Sequence, residues 1–262
     1  MQEQKEKAEK EKMPDSFLER NGLPRLAYHK TDAPVSARPV VMFLGGFRSD
    51  MQGTKAVFVE EFCKKHALSS LRFDYRGHGT SDGRFEDGCI GDWKADALTV
   101  FDTLTDDRPV LLVGSSMGGW IGLLLAMERA ARVCGFIGLA AAPDFTRDIP
   151  REMTDAHKAQ MAHDGYFDLF NDYGPAYAIT QKLLDDGENH CLLDAPIPVS
   201  CPVRLIQGIK DTDVPYHKAE DIAARLETAD KKIYFRPEGD HRLSTPEDLT
   251  LLGELILELA QD

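Results

Sequence analysis

Short apolar, β-branched runs alternate along the chain with longer segments whose apolar residues recur every three or four positions. Runs of the first kind are Val40 to Leu44, Ser70 to Phe73, Val110 to Val113, Val133 to Leu139, Val203 to Gln207 and Ile233 to Arg236. Each is bounded by Gly, Pro or charge, which predicts strands buried on both faces. A weaker strand is expected at Leu26 to His29. The three- and four-residue spacing predicts core-facing helices over Thr54 to His66, Ile90 to Leu104, Gly118 to Arg129, Tyr216 to Glu227 and Pro246 to Ala260. Strands alternating with helices imply parallel pairing through crossover connections. The expected fold class is therefore α/β, a mostly parallel central sheet with helices on both faces.

The rhythm breaks between about Asp144 and Val199, which offers helical candidates at Thr154 to Asp164 and Pro175 to Asp185 but no convincing strand. An insertion is expected there, closing with the Pro-rich stretch APIPVSCP. The remainder, residues 21 to 262, reads as one domain carrying this insertion at 144–199, with residues 1 to 20 as a charged tail. A chain of 262 residues is about the largest that one core serves.

The chemistry begins at Gly114-Ser115-Ser116-Met117-Gly118, which stands between the buried run PVLLV and the helical run GGWIGLLLAM. A sharp strand-to-helix turn strains its central residue and lifts that side chain above the sheet, and the flanking positions must be glycine where strand and helix close on each other. Ser116 is the candidate nucleophile; Ser115 lacks glycine on both sides. A serine hydroxyl needs an imidazole to take its proton and a carboxylate to fix that imidazole. In the order that such an elbow requires, serine, acid, histidine, only His241 follows the last strand. The other seven histidines, His29, His66, His78, His157, His163, His190 and His217, read as surface or satisfied core residues.

The loop after VRLIQ offers two carboxylates. Asp213 precedes Val214-Pro215 and a helical run, so it reads as a helix N-cap, and Asp211 is assigned the orienting role. Asp240 is too close in sequence to His241 to orient it. Two backbone donors must meet the oxyanion: the Met117 N–H and one from Leu44-Gly45-Gly46-Phe47, where Phe47 is favoured and a slip of one residue is the alternative.

With these residues in place the chain resembles the α/β-hydrolase superfamily from about Pro39 onward. The elbow, Asp74-Tyr75-Arg76-Gly77-His78-Gly79-Thr80-Ser81-Asp82, G-x-x-D-x-x-V-P at Gly208 to Pro215 and Gly239-Asp240-His241 carry the resemblance. More narrowly, GGFRSDMQGTKA, RFDYRGHGTSDG, VGSSMGGW and HCLLDAPIPVSCPVRLIQGIKD are similar to the group of α/β-hydrolase domain-containing protein 10 and its bacterial relatives. That resemblance implies a serine hydrolase without cofactor, cleaving esters or thioesters, with acyl-protein thioesterase and acyl-glucuronide esterase as the implied activities. Many relatives carry His-Gly where this chain has Gly45-Gly46. The same triad serves peptidases and acyltransferases, whereas dehalogenases and epoxide hydrolases place Asp at the position of Ser116; a non-catalytic ligand-binding relative would show an eroded triad.

Charge and composition narrow the partners. A net charge of −13 repels nucleic acid and anionic lipid surfaces, and no apolar run approaches the roughly 18 residues of a membrane span. The expected partner is a small-molecule or acylated substrate; the oligomeric state is not legible. Five scattered cysteines without a C-x-x-C pair suit reduced thiols. His157, His163, His190 and Cys191 cluster in the insertion, but positions six apart on a helix differ by about 240°, so no metal site is expected. MQEQKEKAEKEK is neither a signal nor a transit peptide by composition, which gives a cytoplasmic expectation. Aromatic residues of the insertion, Tyr166, Phe167, Phe170, Tyr173 and Tyr177, are candidates to wall a pocket, and Arg48, Arg147 and Arg151 are candidates to meet an anionic leaving group.

Overall fold

The computed structural model describes residues 16–34, 38–171 and 174–260, with side chains of 170–175 excluded. Ten strands occur among these residues. They are β1 (Ser16–Leu18), β2 (Leu26–Thr31), β3 (Val40–Leu44), β4 (Ser69–Phe73), β5 (Val110–Ser115), β6 (Val133–Leu139), β7 (Tyr166–Asn171), β8 (Gly174–Thr180), β9 (Val203–Gly208) and β10 (Lys231–Arg236). The helices are α1 (Thr54–Lys65), α2 (Ile90–Leu104), α3 (Met117–Glu128), α4 (Phe145–Glu152), α5 (Asp155–Asp164), α6 (Gln181–Glu188), α7 (His217–Arg225) and α8 (Pro246–Leu259). Eight strands form one sheet in the order β1-β2-β4-β3-β5-β6-β9-β10, parallel from β4 to β10, with β1 and β2 antiparallel at one edge.

Successive side chains of a strand point to opposite faces, and both faces of this sheet are covered. Met42, Leu44 and Leu112 therefore join Trp93 of α2 with Trp120 and Ile121 of α3 in one core. Val41, Phe43, Leu111 and Val113 join Ala56 and Val59 of α1 with Leu252 and Ile256 of α8 in another. This two-sided burial explains why β3 and β5 read as unbroken apolar runs. Helix α3 is buried from Met117 to Ala126, hence its lack of a polar face. Trp120 is fully buried, and its indole N–H donates to the His190 carbonyl (2.9 Å); truncating such a side chain typically costs about 3–5 kcal/mol.

Three expectations are corrected here. The boundary after residue 20 lies too late, because β1 pairs with β2 and the buried Arg20 side chain forms an ion pair with the fully buried Asp96. The segment between β6 and β9 does contain strands: β7 and β8 form an antiparallel hairpin, and the helix expected over Pro175 to Asp185 begins only at Gln181, where the Thr180 side chain accepts the Leu183 N–H. Among the described hairpin side chains only Phe167 and Ile179 are buried, so no long alternation marks the strands. An unpredicted helix, α4, opens the segment. Asp144, buried at the segment's start, accepts the backbone N–H groups of Leu192 and Leu193 near its end (2.8 and 2.9 Å). Among the described residues no helix is long and apolar enough to cross a membrane.

Candidate active site

Strand order reverses direction between β3 and β5, and loops at the carboxyl ends of parallel strands converge at such a switch point. The loop after β3 carries Gly45 to Phe47, the turn after β5 carries Ser116, the loop after β9 carries Asp211, and that after β10 carries His241.

Ser116 stands at φ 54°, ψ −118°, a strained backbone for a residue with a side chain. Its N–H donates to the Leu139 carbonyl (2.9 Å), while its carbonyl accepts from Gly119 (2.8 Å) and Ala142 (3.1 Å), so neighbours on both sides hold the strain. A Cβ on Gly118 would stand 2.1 Å from the Leu44 carbonyl oxygen, and one on Gly114 would stand 2.3 Å from that of Gly118. No side chain fits at either position.

His241 Nδ1 lies 2.9 Å from Asp211 Oδ2. The carboxylate can only accept, so Nδ1 donates and Nε2 is left as the acceptor of the neutral ring. The Asp211 side chain is fully buried, whereas that of His241 remains 24% exposed. Asp211 Oδ1 accepts the N–H groups of Asp213 (2.9 Å) and Val214 (2.8 Å), and Oδ2 also accepts from Gln207 Nε2 (3.2 Å). These donors satisfy the lone pairs of a carboxylate taken out of water.

Asp213 does not cap a helix. The turn through Val214-Pro215 delays α7 to His217, after a Tyr216 N-cap that offers no side-chain bond, and among the described residues the Asp213 carboxylate accepts no hydrogen bond. Asp240 shapes its own loop, accepting from the Arg242 and Leu243 N–H groups. Ligand atoms of Asp211, Asp213 and His241 lie within 4.8 Å of one another, close enough for a metal ion. A metal on Asp211 would compete with its four hydrogen bonds.

Gly46 passes beside the serine: a Cβ there would stand 3.4 Å from Ser116 Cβ. Among the described residues neither the Phe47 nor the Met117 N–H has an acceptor. The site thus presents two spare amide donors, a hydroxyl, and an imidazole tied on its far side. His78, from the segment after β4, sets this loop: its Nδ1 faces the Arg76 carbonyl (3.2 Å), and its Nε2 accepts the Arg48 N–H (3.2 Å). Burial pulls the His78 imidazole down to about 4, keeping it neutral.

A cavity of about 600 Å³ opens at Ser116 and His241, with walls from Phe145, Ile149, Leu169, Tyr177, Ile179 and Val214. The Phe47 ring packs edge-on against Phe145 (5.4 Å) and Tyr177 (5.7 Å), joining the loop to the segment above it. Of the aromatic wall candidates, Tyr177 lines this cavity, Phe167 is buried in packing and Tyr166 is exposed. The side chains of Phe170 and Tyr173 lie outside the described residues. Arg48 lies at the cavity over the Tyr177 ring (4.7 Å). Arg147 and Arg151 are instead engaged by acids, Arg147 with Glu188 and Asp194, Arg151 with Asp148. Lys55, which sequence reasoning missed, lines a second cavity beside Ser116.

Comparison with known proteins agrees with this architecture. The Alpha/beta hydrolase family profile matches residues 41–250. The chain is 38% identical over 246 residues to palmitoyl-protein thioesterase ABHD10, mitochondrial, of Homo sapiens, covering 93% of this chain and 79% of that protein. The structure of alpha/beta hydrolase domain-containing protein 10 from mouse superposes with a TM-score of 0.86 at 37% identity, covering 94% of this chain and 98% of the other. A crystal structure of a protein from Agrobacterium vitis S4 gives a TM-score of 0.89 at 35% identity over 95% of this chain and all of the other (100%).

Proposed function

Since the chain belongs to the alpha/beta hydrolase family and is a hydrolase, we propose that it cleaves carboxylic esters or thioesters through an acyl-enzyme on Ser116. The observation that carries this reading is the pairing of His241 Nδ1 with the buried Asp211 carboxylate, in loops lining the cavity that also holds the strained Ser116. Nε2 of His241 takes the Ser116 proton as Oγ bonds to the substrate carbonyl carbon. The resulting oxyanion meets the Met117 and Phe47 N–H groups, a contribution of about 3–4 kcal/mol for one such donor. Collapse breaks the bond to the leaving oxygen or sulfur, which receives the proton from His241. A water then gives its proton to Nε2, attacks the acyl carbon and releases the acid, returning the proton to Ser116.

The substrate is read from the larger cavity. Apolar walls contributed by α4, β7 and β8 suit a sizeable apolar acyl part, and the segment from Asp144 to Val199 acts as a cap over it. The thioesterase named among the relatives is a palmitoyl-protein thioesterase, which supports the acyl-thioester reading; acyl-glucuronide hydrolysis needs the same acyl-enzyme. Ser116→Ala is expected to stay folded while losing ester turnover and labelling by a fluorophosphonate. Labelling that persisted on another serine would overturn the assignment. A panel of p-nitrophenyl esters of increasing chain length, acyl thioesters, acyl glucuronides and peptide amides tests the substrate by kcat/KM. Best turnover of peptide amides, or indifference to acyl length, would refute the apolar pocket.

A further inference from the structure

The second cavity, about 410 Å³, shares Phe47, Ser116 and His241 with the first but has different walls. They come from the α1 side and from the His241 loop, with Ser49, Thr54, Lys55, Arg242 and Ser244 among them. An ester lying across Ser116 places its halves on the two sides of the reacting carbon. The larger cavity, walled by Phe145, Ile149, Leu169 and Ile179, takes the acyl half in the acyl-enzyme reading, which leaves the cavity beside α1 to the leaving group.

Lys55 is unusually placed for a structural lysine. It stands in the first turn of α1, the end of a helix where the dipole disfavours a cation. Its ammonium donates to the neutral carbonyl of Arg242, and among the described residues no carboxylate lies within salt-bridge distance of it. Asp240, Asp248 and Asp211 act on it from farther away, and Arg242 opposes them. An ammonium has three donors and one is used, so a half-buried charge faces the cavity without a counter-ion. Asp50 also lines this cavity and accepts the Gln52 N–H (2.8 Å). With Asp50 present and a net charge of −13, a monoanion meets less repulsion than a dianion.

We propose that Lys55 is a specificity-determining residue, reading a carboxylate on the leaving-group half of the substrate. This rests on the acyl-enzyme reading and adds to it the charge of the group that departs. The carboxylate takes no part in bond making: it pairs with the ammonium while His241 protonates the departing oxygen or sulfur. Burial pulls the Lys55 ammonium down to about 8, so the preference is expected to fade as pH rises through that value.

Two hexanoyl esters provide the test, one of 4-hydroxyphenylacetic acid and one of its primary amide. The methylene insulates the phenol, so the leaving groups differ chiefly in charge. The wild-type protein is expected to prefer the acid by about tenfold or more in kcat/KM, the scale of one charge-assisted hydrogen bond. Lys55→Met is expected to abolish that ratio and Lys55→Arg to keep most of it, which a packing role would not produce. In calorimetry, free 4-hydroxyphenylacetate is expected to bind Ser116→Ala and to bind Ser116→Ala/Lys55→Met at least about tenfold more weakly. A wild-type ratio near one, a ratio unchanged in Lys55→Met, or equal binding to the two serine variants would overturn the proposal. Failure of the acyl-enzyme reading shows separately, as Ser116→Ala retaining turnover of both esters.

Discussion

The Nε2 atom of His78 accepts the backbone N–H of Arg48 (3.2 Å), so a buried imidazole from the segment after β4 fixes the peptide that follows Phe47. Removing that acceptor frees the loop whose Phe47 amide is proposed to meet the oxyanion. His78→Ala is expected to lower kcat for p-nitrophenyl esters by about 10–100-fold with a smaller change in KM, since one donor accounts for about 10²–10³. A change confined to KM would remove His78 from this role.

The same imidazole makes stability depend on acid. Its folded value of about 4 lies below the roughly 6.5 of an unfolded histidine. The unfolded chain therefore binds the extra proton first, and stability is full above about pH 6.5 and falls as pH drops toward 4, by up to about 3 kcal/mol. Urea melts across this window should show the loss, and His78→Phe should flatten it. An equal slope in the variant would place the acid sensitivity elsewhere.

Lys55 has the opposite charge type, and its stability contribution covers a different pH window. A folded value near 8 against about 10.5 unfolded means that its charge is penalised in the fold below pH 8, and that the penalty disappears as pH rises to about 10.5. Lys55→Met is thus expected to raise Tm at pH 7, by about 2–4 °C for each kcal/mol relieved net of the bond to Arg242, with no gain near pH 10.5. A lower Tm at pH 7 would show that the ammonium is well accommodated.

Asp211→Asn keeps the shape of the acid but loses its charge, and turnover should fall by about 10⁴. Asp213→Ala removes a carboxylate that caps nothing, and its stability should change by less than about 0.5 kcal/mol in chemical denaturation. Comparable losses of turnover in both variants would mean that the two acids share the orienting role.

Ile149 of α4 stands in the wall of the larger cavity. Ile149→Trp should shift the best p-nitrophenyl ester toward shorter acyl chains while leaving acetate turnover within about threefold, because adding bulk fills space without touching Ser116. An unchanged chain-length profile would put the acyl group elsewhere.

Strands with both faces buried were legible because their composition alone marks them: β3 and β6 begin and end where their apolar runs do. Ser116 was legible because the required glycines are local to it. The hairpin β7-β8 was not, since only Phe167 and Ile179 of its described side chains are buried. Asp213 was misread because the start of a helix depends on a turn that lengthens the approach to α7. Lys55 meets a carbonyl 187 residues away, and His78 a backbone amide 30 residues away. Both depend on strand order, which no local spacing encodes.

Asp144 joins the two ends of its segment within about one carboxylate's width, although Leu192 follows it by 48 residues. Insertions whose ends meet can lengthen, shorten or be replaced without pulling the strands apart, because loop-closure cost changes by only about 0.6 kcal/mol per doubling of length. The segment is thus a cassette on a fixed socket: walls of the larger cavity that lie between Asp144 and Leu192 are expected to be exchangeable while β6 and β9 stay in register. Selection for new substrates can therefore act on one stretch of the chain, leaving the reacting groups under separate constraint.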